Sequence, residues 1–322
     1  MKNDSLKVIL IVVLVAVAGF FLYKTMSNRQ VGQAGLVGST TTQKMYIVGS
    51  GIMSSIDGIT WQTVGQALPN ASDHLTSAFG KLFLVGGDFL GVKTQKSTNG
   101  ATWTETSLPP WTPLPFFSEI KHNNALFMIG GTVLSSSNKS IWRSIDGTNW
   151  TKINTNAPFA NDVDSDQSNL ASFLGKLFVF TGVNSWSSAD NGLTWSLVGQ
   201  YPHQPSETRR RFGVTVLRDA LWISGGVNDG GTVMYNDVWK SLDGVTWTQV
   251  VNNAPWGQYS GSQPGRAGHC MLSFKNKLWI IRGFNFSANF NDAWSSSDGI
   301  TWTQTTNILP PGPMIWDSCA VL

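Results

Sequence analysis

Three aspartates at alternate positions, Asp162, Asp164 and Asp166, are spaced like the first ligands of a calcium-binding loop. Such a loop needs Gly at its sixth position and a bidentate Glu at its twelfth. These positions hold Gln167 and Phe173 instead. We therefore expect a solvated acidic turn, with calcium binding as the alternative, and no metal or other cofactor.

Two arginines occupy equivalent places in neighbouring stretches of the chain. Arg209 lies opposite Arg266 when residues 221–222 are aligned with residues 278–279, and each precedes a strand-like segment by three residues. Guanidinium groups form paired hydrogen bonds with carboxylates, and the faces of aromatic rings pack against sugar rings or peptides. The residues that we group with the two arginines are His269, Tyr235, Trp256, Tyr259, Arg282 and Phe286. This mixture predicts a site for an acidic glycan or an acidic peptide segment; alternatively, the arginines brace loop carbonyls.

One phrase, a Ser followed by Asp-Gly or Asn-Gly and then Trp, occurs six times, and its tryptophans are 42 to 55 residues apart. Such a phrase between strand-like segments is a strong hairpin signal, because Gly accepts positive φ and Asp or Asn can bond its own backbone. We assign the phrases the structural role of tying hairpins, with Trp packed between repeats. Their Asp or Asn residues are Asp57, Asn99, Asp146, Asp190, Asp243 and Asp298.

The elements around each phrase predict the fold. An apolar strand precedes every phrase, at residues 45–49, 81–87, 125–131, 176–182, 220–226 and 277–283. A further strand precedes five of these, which gives four short antiparallel strands per repeat, as in a propeller blade. The first repeat lacks its innermost strand, whereas residues 317–322 have that pattern and no repeat of their own. Residues 44–322 are therefore expected to form an all-β, six-bladed β-propeller of four-stranded antiparallel blades that the C-terminal strand closes.

These segments resemble a known family. The double-glycine strand ends, the two Asn-Asp-x-Trp segments at 236–239 and 291–294, and Arg-Ala-Gly-His at 266–269 resemble kelch-type propellers such as the central domain of galactose oxidase. The hairpin phrase resembles the Asp-box, Ser-x-Asp-x-Gly-x-Thr-Trp, whose full spacing only residues 188–195 have. The resemblance covers residues 44–322 and implies the fold, but propellers host many activities.

The resemblance also implies enzymes against which the residues can be compared. Sialidases with Asp-boxes use an arginine cluster and a Tyr nucleophile activated by Glu, and galactose oxidase holds copper with two Tyr and two His beside a Tyr–Cys crosslink. Here the only glutamates are Glu105, Glu119 and Glu207, and the four His are dispersed. We expect no enzymatic activity, with a sialidase-like or other glycan-acting enzyme as the less favoured reading.

The two cysteines, Cys270 and Cys319, fall at matching places in neighbouring inner strands. A small buried thiol packs well there. We expect free thiols, with a disulfide as the alternative.

The N-terminal region is unlike the rest. Residues 1–7 form a short tail, and residues 8–23 form an apolar run without charge that Lys7 and Lys24 bracket. This predicts one transmembrane helix that acts as a signal-anchor, although the Ala-Val-Ala at 16–18 leaves a cleaved signal peptide as the alternative. Residues 24–43 are expected to be a flexible stalk. The short tail favours a single-pass protein with its propeller on the non-cytoplasmic side.

The charge of the chain and the residues in its loops limit the functions that we expect. The net charge of +3 comes without a Lys/Arg run, so nucleic acid is not expected as a partner. Tight repeated hairpins are predicted on one face of the ring and irregular aromatic loops on the other, with the stalk entering on the hairpin side. We expect a membrane-tethered recognition propeller that binds a protein or glycan through its loop face. The alternative is a structural component of a membrane-associated assembly, in a cell envelope or a virion.

Overall fold

The structure is a computed structural model, and it describes residues 42–49, 51–66, 74–88, 91–106, 117–130, 132–133, 136–137, 140–159, 169–181, 184–202, 208–228, 230–258, 264–306, 309 and 318–322. Gln43–Leu322 form a compact unit distinct from Met1–Thr42. The predicted tail, transmembrane helix and nearly all of the stalk lie outside the described residues. Within the described part of the chain, no helix has the length and apolar character needed to cross a bilayer.

The first half of the unit holds three blades and a separate two-stranded sheet. Blade 1 contains β1 (Met45–Val48), β2 (Gly51–Ser55) and β3 (Gln62–Gln66). Blade 2 contains β4 (His74–Ala78), β5 (Lys81–Asp88), β6 (Gly91–Ser97) and β7 (Thr104–Glu105). Blade 3 contains β8 (Phe117–His122), β9 (Ala125–Gly130), the hairpin β10 (Thr132–Val133) and β11 (Ser136–Ser137), then β12 (Ile141–Ser144) and β13 (Thr151–Asn154).

The second half holds three more sheets and the closing strand. Blade 4 contains β14 (Asn169–Phe173), β15 (Lys176–Phe180), β16 (Asn184–Ser188) and β17 (Ser196–Gln200). Blade 5 contains β18 (Arg209–Arg210), β19 (Gly213–Leu217), β20 (Ala220–Asn228), β21 (Met234–Ser241) and β22 (Thr248–Val251), and a 3₁₀ helix (Pro255–Gly257) follows it. Blade 6 contains β23 (Cys270–Phe274), β24 (Lys277–Ile281), β25 (Ala293–Ser296) and β26 (Thr303–Thr306), and β27 (Cys319–Val321) comes last.

The closing strand completes the first blade. β27 pairs antiparallel with β1, which gives blade 1 the strand order β27-β1-β2-β3. Neighbouring inner strands contact each other around the whole ring, in the order β27, β4, β8, β14, β19, β23 and β27 again. The predicted six-bladed propeller with four-stranded antiparallel blades is confirmed; blade 5 adds β18, where the positive φ of Arg211 separates it from β19.

Apolar side chains from adjacent blades form the seams. One core cluster combines Met45 and Ile47 of blade 1 with Trp279 and Ile281 of blade 6, and Trp61 packs against it. Because successive strand residues point to opposite sheet faces, each central strand contributes apolar side chains to the seams on both sides of its blade. The fully buried β20 is the longest example.

The two faces of the ring follow from the antiparallel order. The turn between the first and second strands of a blade and the hairpin between its third and fourth strands lie on one side, which we call the hairpin face. The connections between second and third strands, and those between blades, lie on the other, which we call the loop face. Glycines in the hairpins let blades approach closely: Gly299 has φ 75°, and a Cβ there would lie 2.1 Å from Trp222 of blade 5.

The cysteine prediction was wrong. Cys270 of β23 and Cys319 of β27 form a disulfide between the inner strands of blades 6 and 1, with 6.0 Å between their Cα atoms. That separation lies within the usual range for a disulfide. The neighbouring position of the two inner strands was predicted, but the sequence did not show that the two side chains point toward each other across the seam.

Candidate functional site

Five of the six hairpin phrases have the same hydrogen-bond pattern, and the phrase of blade 4 differs in that Asp190 accepts one backbone N–H, that of Thr194. In blade 6, Ser296 Oγ donates to Asp298 Oδ1 over 2.9 Å and accepts the Gly299 N–H at 2.8 Å. Asp298 Oδ1 in turn accepts the N–H groups of the two residues after the glycine, each at 2.8 Å. In blade 5 the same kind of amide donors, first that of Thr246, lower the pKa of Asp243 to about 2. These carboxylates are occupied in holding hairpins.

A buried clamp holds the loop face of blade 6. Arg266 is fully buried and its two terminal nitrogens donate to the carboxylate of Asp292 over 2.6 and 3.0 Å. Trp294 Nε1 donates to the same carboxylate at 2.8 Å, and the Phe290 ring covers the guanidinium at 3.9 Å. Burial strengthens such charge-assisted bonds and makes their loss costly.

Blade 5 repeats this clamp. Arg209 is 1% exposed, and its Nη2 donates to Asp237 Oδ2 over 2.6 Å. Trp239 Nε1 donates to that oxygen at 2.7 Å, and Tyr235 covers the guanidinium at 4.1 Å. The phenol of Tyr201 also holds the backbone, since it donates to the Arg209 carbonyl over 2.7 Å.

Three other residues of the predicted site pack into the seams on either side of blade 6. Arg282 reaches across to blade 1, where its Nη1 donates to the Val48 carbonyl over 2.6 Å. His269 lies 2.9 Å from the Ser224 hydroxyl, and burial followed by the positive charge of Arg266 lowers its pKa to about 3. Trp256 is fully buried against the His269 ring.

The described geometry therefore favours bracing over ligand contact for most of the predicted site. Six of its eight residues are buried, namely Arg209, Arg266, His269, Tyr235, Trp256 and Arg282. Phe286 is half exposed, and Tyr259 lies outside the described residues. Sequence reasoning missed the partners Asp237 and Asp292. The sequence did contain a sign of this pairing. Each aspartate belongs to an Asn-Asp-x-Trp segment in the same repeat as the arginine with which it pairs.

What the clamps support on the loop face is a pair of ordered loops. In blade 5, Asn228 Oδ1 accepts the N–H groups of Thr232 and Val233 over 2.8 and 2.9 Å. In blade 6, Asn285 Oδ1 accepts the N–H groups of Ser287 and Ala288 over 2.9 and 2.8 Å. Each Asn fixes its loop from inside.

Each of the two ordered loops presents one apolar side chain to solvent. Val233 is 41% exposed and Phe286 is 50% exposed. An aromatic ring on a fixed loop is a surface on which a sugar or an apolar peptide side chain can pack.

Metal chemistry finds no support in the described ranges. They contain no group of three or more His, Cys, Asp or Glu side chains that could hold a metal ion. Asp162, Asp164 and Asp166 lie outside these ranges, so the alternative of calcium binding there stays untested.

A buried acid lies at the seam between blades 2 and 3. Glu119 Oε2 on β8 is 3.4 Å from Nδ1 of His74 on β4, and the glutamate side chain is 7% exposed. Burial raises the pKa of Glu119, and the attraction of His74 only partly opposes that shift. Ionising this carboxyl therefore costs the folded state free energy.

Replacing Glu119 with Gln should raise the free energy of unfolding at neutral pH by about 1 to 3 kcal/mol, the cost of a poorly satisfied buried group. Because the folded-state pKa lies above the unfolded value, this cost is absent below about pH 4 and appears as pH rises. Thermal melts of both proteins across pH should thus converge in acid. Glu105→Gln on the exposed β7 is the control, and a less stable Glu119→Gln variant would show instead that the His74 pair stabilises the ring.

Comparison with known proteins identifies the family to which this propeller belongs. A family model described as the DUF6242 beta propeller domain matches residues 25–249. The chain belongs to this DUF6242 beta-propeller family. Its matched region ends within β22 and so covers blade 1 apart from β27, blades 2 to 4, and most of blade 5. No curated protein matches the chain in sequence.

A solved structure titled "Structure of YjhT" has the same fold. It superposes with a TM-score of 0.61 and 14% sequence identity, covering 76% of this chain and 86% of that one. At this identity the likeness concerns the fold alone.

Proposed function

We propose that the protein is a non-enzymatic recognition propeller, tethered to a membrane by its N-terminal segment, that binds a protein or glycan through its loop face. One observation carries the proposal: two neighbouring loops, each tied by an internal Asn, hold Phe286 and Val233 in solvent above buried arginine clamps. Ordering a loop before binding reduces the entropy lost in the complex.

The ligand class follows from what the loops expose. Since the clamp arginines are paired with Asp237 and Asp292, they give no support to an acidic ligand in particular. The half-exposed ring of Phe286 suits the apolar face of a sugar or a peptide side chain. The clamps also fall in the Asn-Asp-x-Trp segments that resemble kelch repeats, where they give the loops a rigid base.

The disulfide supports a non-cytoplasmic location for the propeller. Disulfides persist in oxidising compartments and are rare in the cytosol. The Cys270–Cys319 bond is therefore consistent with the anchor orientation expected from the short N-terminal tail.

Binding to an array of neutral and acidic glycans and to a synthetic peptide library tests the function. We expect a ligand for the Gln43–Leu322 unit, which contains every described strand. Phe286→Ala should then weaken binding about tenfold, because burying a Phe ring contributes about 1.5 kcal/mol or more.

The control is Leu242→Ala, which removes an apolar side chain that is 64% exposed on the hairpin face, compared with 50% for Phe286. Equal ligand affinities for Phe286→Ala and wild type would show that the ligand does not bind to the loop face around Phe286. Failure to bind any glycan or peptide, together with self-association, would favour the structural-component alternative.

A further inference from the structure

The hairpin face carries most of the exposed large apolar side chains in the described structure. Seven of them, at 48% to 65% exposure, occupy the hairpin phrases of five blades: Ile56, Ile59, Ile145, Leu193, Leu242, Val245 and Ile300. They flank the Asp-Gly turn, and none belongs to a described core cluster. Exposed apolar side chains that recur on one face of the ring can together form an interaction surface.

Basic side chains form a second, inner set on this face. The turn between the first and second strands lies nearer the ring centre than the hairpin, and in blades 2 to 6 a cation lies in this turn or within two residues of it. Arg218 and Lys275 lie in the turns, and the cations in the adjoining strand ends are Lys81, Lys121, Lys176 and Lys277. Asp219 is the single acidic residue in those turns.

The acidic groups on the same face are held by hydrogen bonds. The hairpin carboxylates, such as those of Asp146 and Asp298, each accept two backbone N–H groups and a Ser hydroxyl. Backbone donors of this kind stabilise the charged form and lower the pKa of both groups, so these carboxylates stay negative. The face thus combines apolar tips and hydrogen-bonded carboxylates at its outer edge with cations nearer its centre.

The chain enters the propeller on this face. Met45, the first residue of β1, pairs with Ser55 at the start of a hairpin phrase. The Lys44 N–H, one residue earlier, donates to the Leu322 carbonyl over 2.7 Å. The sequence before this point holds the uncharged apolar run at residues 8–23.

We propose that the hairpin face rests on a bilayer surface containing anionic lipid, with the apolar tips inserted among the headgroups and the basic turns over the lipid charges. Interfacial binding combines buried apolar area with the attraction of basic residues to anionic headgroups. This inference rests on the proposed membrane tether and deepens it: the loop face then points away from the bilayer, where it can meet a ligand.

The test uses the Gln43–Leu322 unit, so that the predicted anchor contributes nothing. Its sedimentation with vesicles of phosphatidylcholine, alone and mixed with phosphatidylserine, is compared with that of the triple variant Ile145→Ser, Leu242→Ser and Ile300→Ser. We expect binding to the mixed vesicles that weakens with salt, and about a tenfold loss in the variant, equivalent to about 1.4 kcal/mol. The matched control, Val233→Ser on the loop face, should bind vesicles as wild type does.

The charge variant Lys275→Glu with Lys277→Glu tests the electrostatic part of the proposal separately. Both side chains are exposed, so the changes should not disturb the fold. This variant should lose binding to the mixed vesicles. Absence of vesicle binding by the wild-type unit, or equal binding by the triple variant, would overturn the proposal. Concentration-dependent dimerisation that the triple variant abolishes would overturn it too and assign the face to a second copy of the chain.

The orientation of the propeller relative to the bilayer is measured with the full chain in reconstituted membranes. The single-cysteine variants Thr301→Cys on the hairpin face and Val233→Cys on the loop face can be labelled selectively, since both side chains are exposed and the native cysteines are joined in a disulfide. Lipid-borne quenchers should affect the label at 301 more than the label at 233. The reverse order would reject the inferred orientation, whereas failure of the loop-face ligand test would leave this measurement unaffected.

Discussion

Deletion of residues 318–322 is expected to abolish cooperative unfolding of the propeller. The deletion removes β27, and with it the backbone bonds between Leu322 and Lys44 at 2.7 and 2.9 Å and the bond from Val48 N–H to the Ser318 carbonyl at 3.1 Å. β1 would become an open edge, and the buried Ala320 would leave its cluster beside Tyr46. Open edges with apolar neighbours aggregate. Calorimetry and circular dichroism melts would show a broad transition or precipitation.

The control separates the strand from the disulfide that the deletion also removes. Cys270→Ser with Cys319→Ser keeps β27 and should still unfold cooperatively, with a loss of about 2 to 4 kcal/mol, as is typical for removal of a disulfide. A truncated protein that melts in the same manner as wild type would mean that β27 is not needed to close the ring.

Replacement of Arg266 with Ala should cost about 3 to 5 kcal/mol, the usual penalty for removing one partner of a buried ion pair. The Asp292 carboxylate would keep its Trp294 bond but lose both guanidinium bonds. Chemical denaturation measures the loss directly. Because an apolar replacement of both partners leaves no uncompensated charge, Arg266→Met with Asp292→Leu should recover much of the stability.

Arg218→Ala is the matched control for this loss. Arg218 is exposed on the hairpin face and donates from Nε to Asn276 over 2.9 Å, so its removal should change stability by less than about 0.5 kcal/mol. If Arg266→Ala instead kept wild-type stability and lost a ligand, the arginine would belong to the binding site and the clamp would not be structural.

The sequence was sufficient for the architecture because the architecture repeats. Each hairpin phrase combines a Gly at positive φ with a Ser and an Asp or Asn that tie the turn, and these are local features. The orphan strand at the C-terminus and the missing strand of the first repeat then predicted ring closure. β18 was not predicted, because the kink at Arg211 that creates it depends on the loop around it.

The candidate site was predicted less well for a physical reason. An arginine placed three residues before an inner strand can point to solvent or fold inward, and the sequence offset is the same in both cases. Arg266 folds inward because a carboxylate 26 residues later in the chain, on Asp292, lies within 2.6 Å across the blade. Side-chain direction was thus decided by a tertiary contact, as was the disulfide between Cys270 and Cys319.

The position of β27 determines where this ring is covalently interrupted. Between neighbouring blades the polypeptide itself spans the seam, including the seam from blade 6 to β27. The break falls inside blade 1, between β27 and β1, where hydrogen bonds and side-chain packing alone join the two ends of the chain. The disulfide fastens β27 to blade 6 but does not bridge that break. A force drawn through the N-terminal segment would therefore act on β1, on the side of the interruption that the disulfide does not secure.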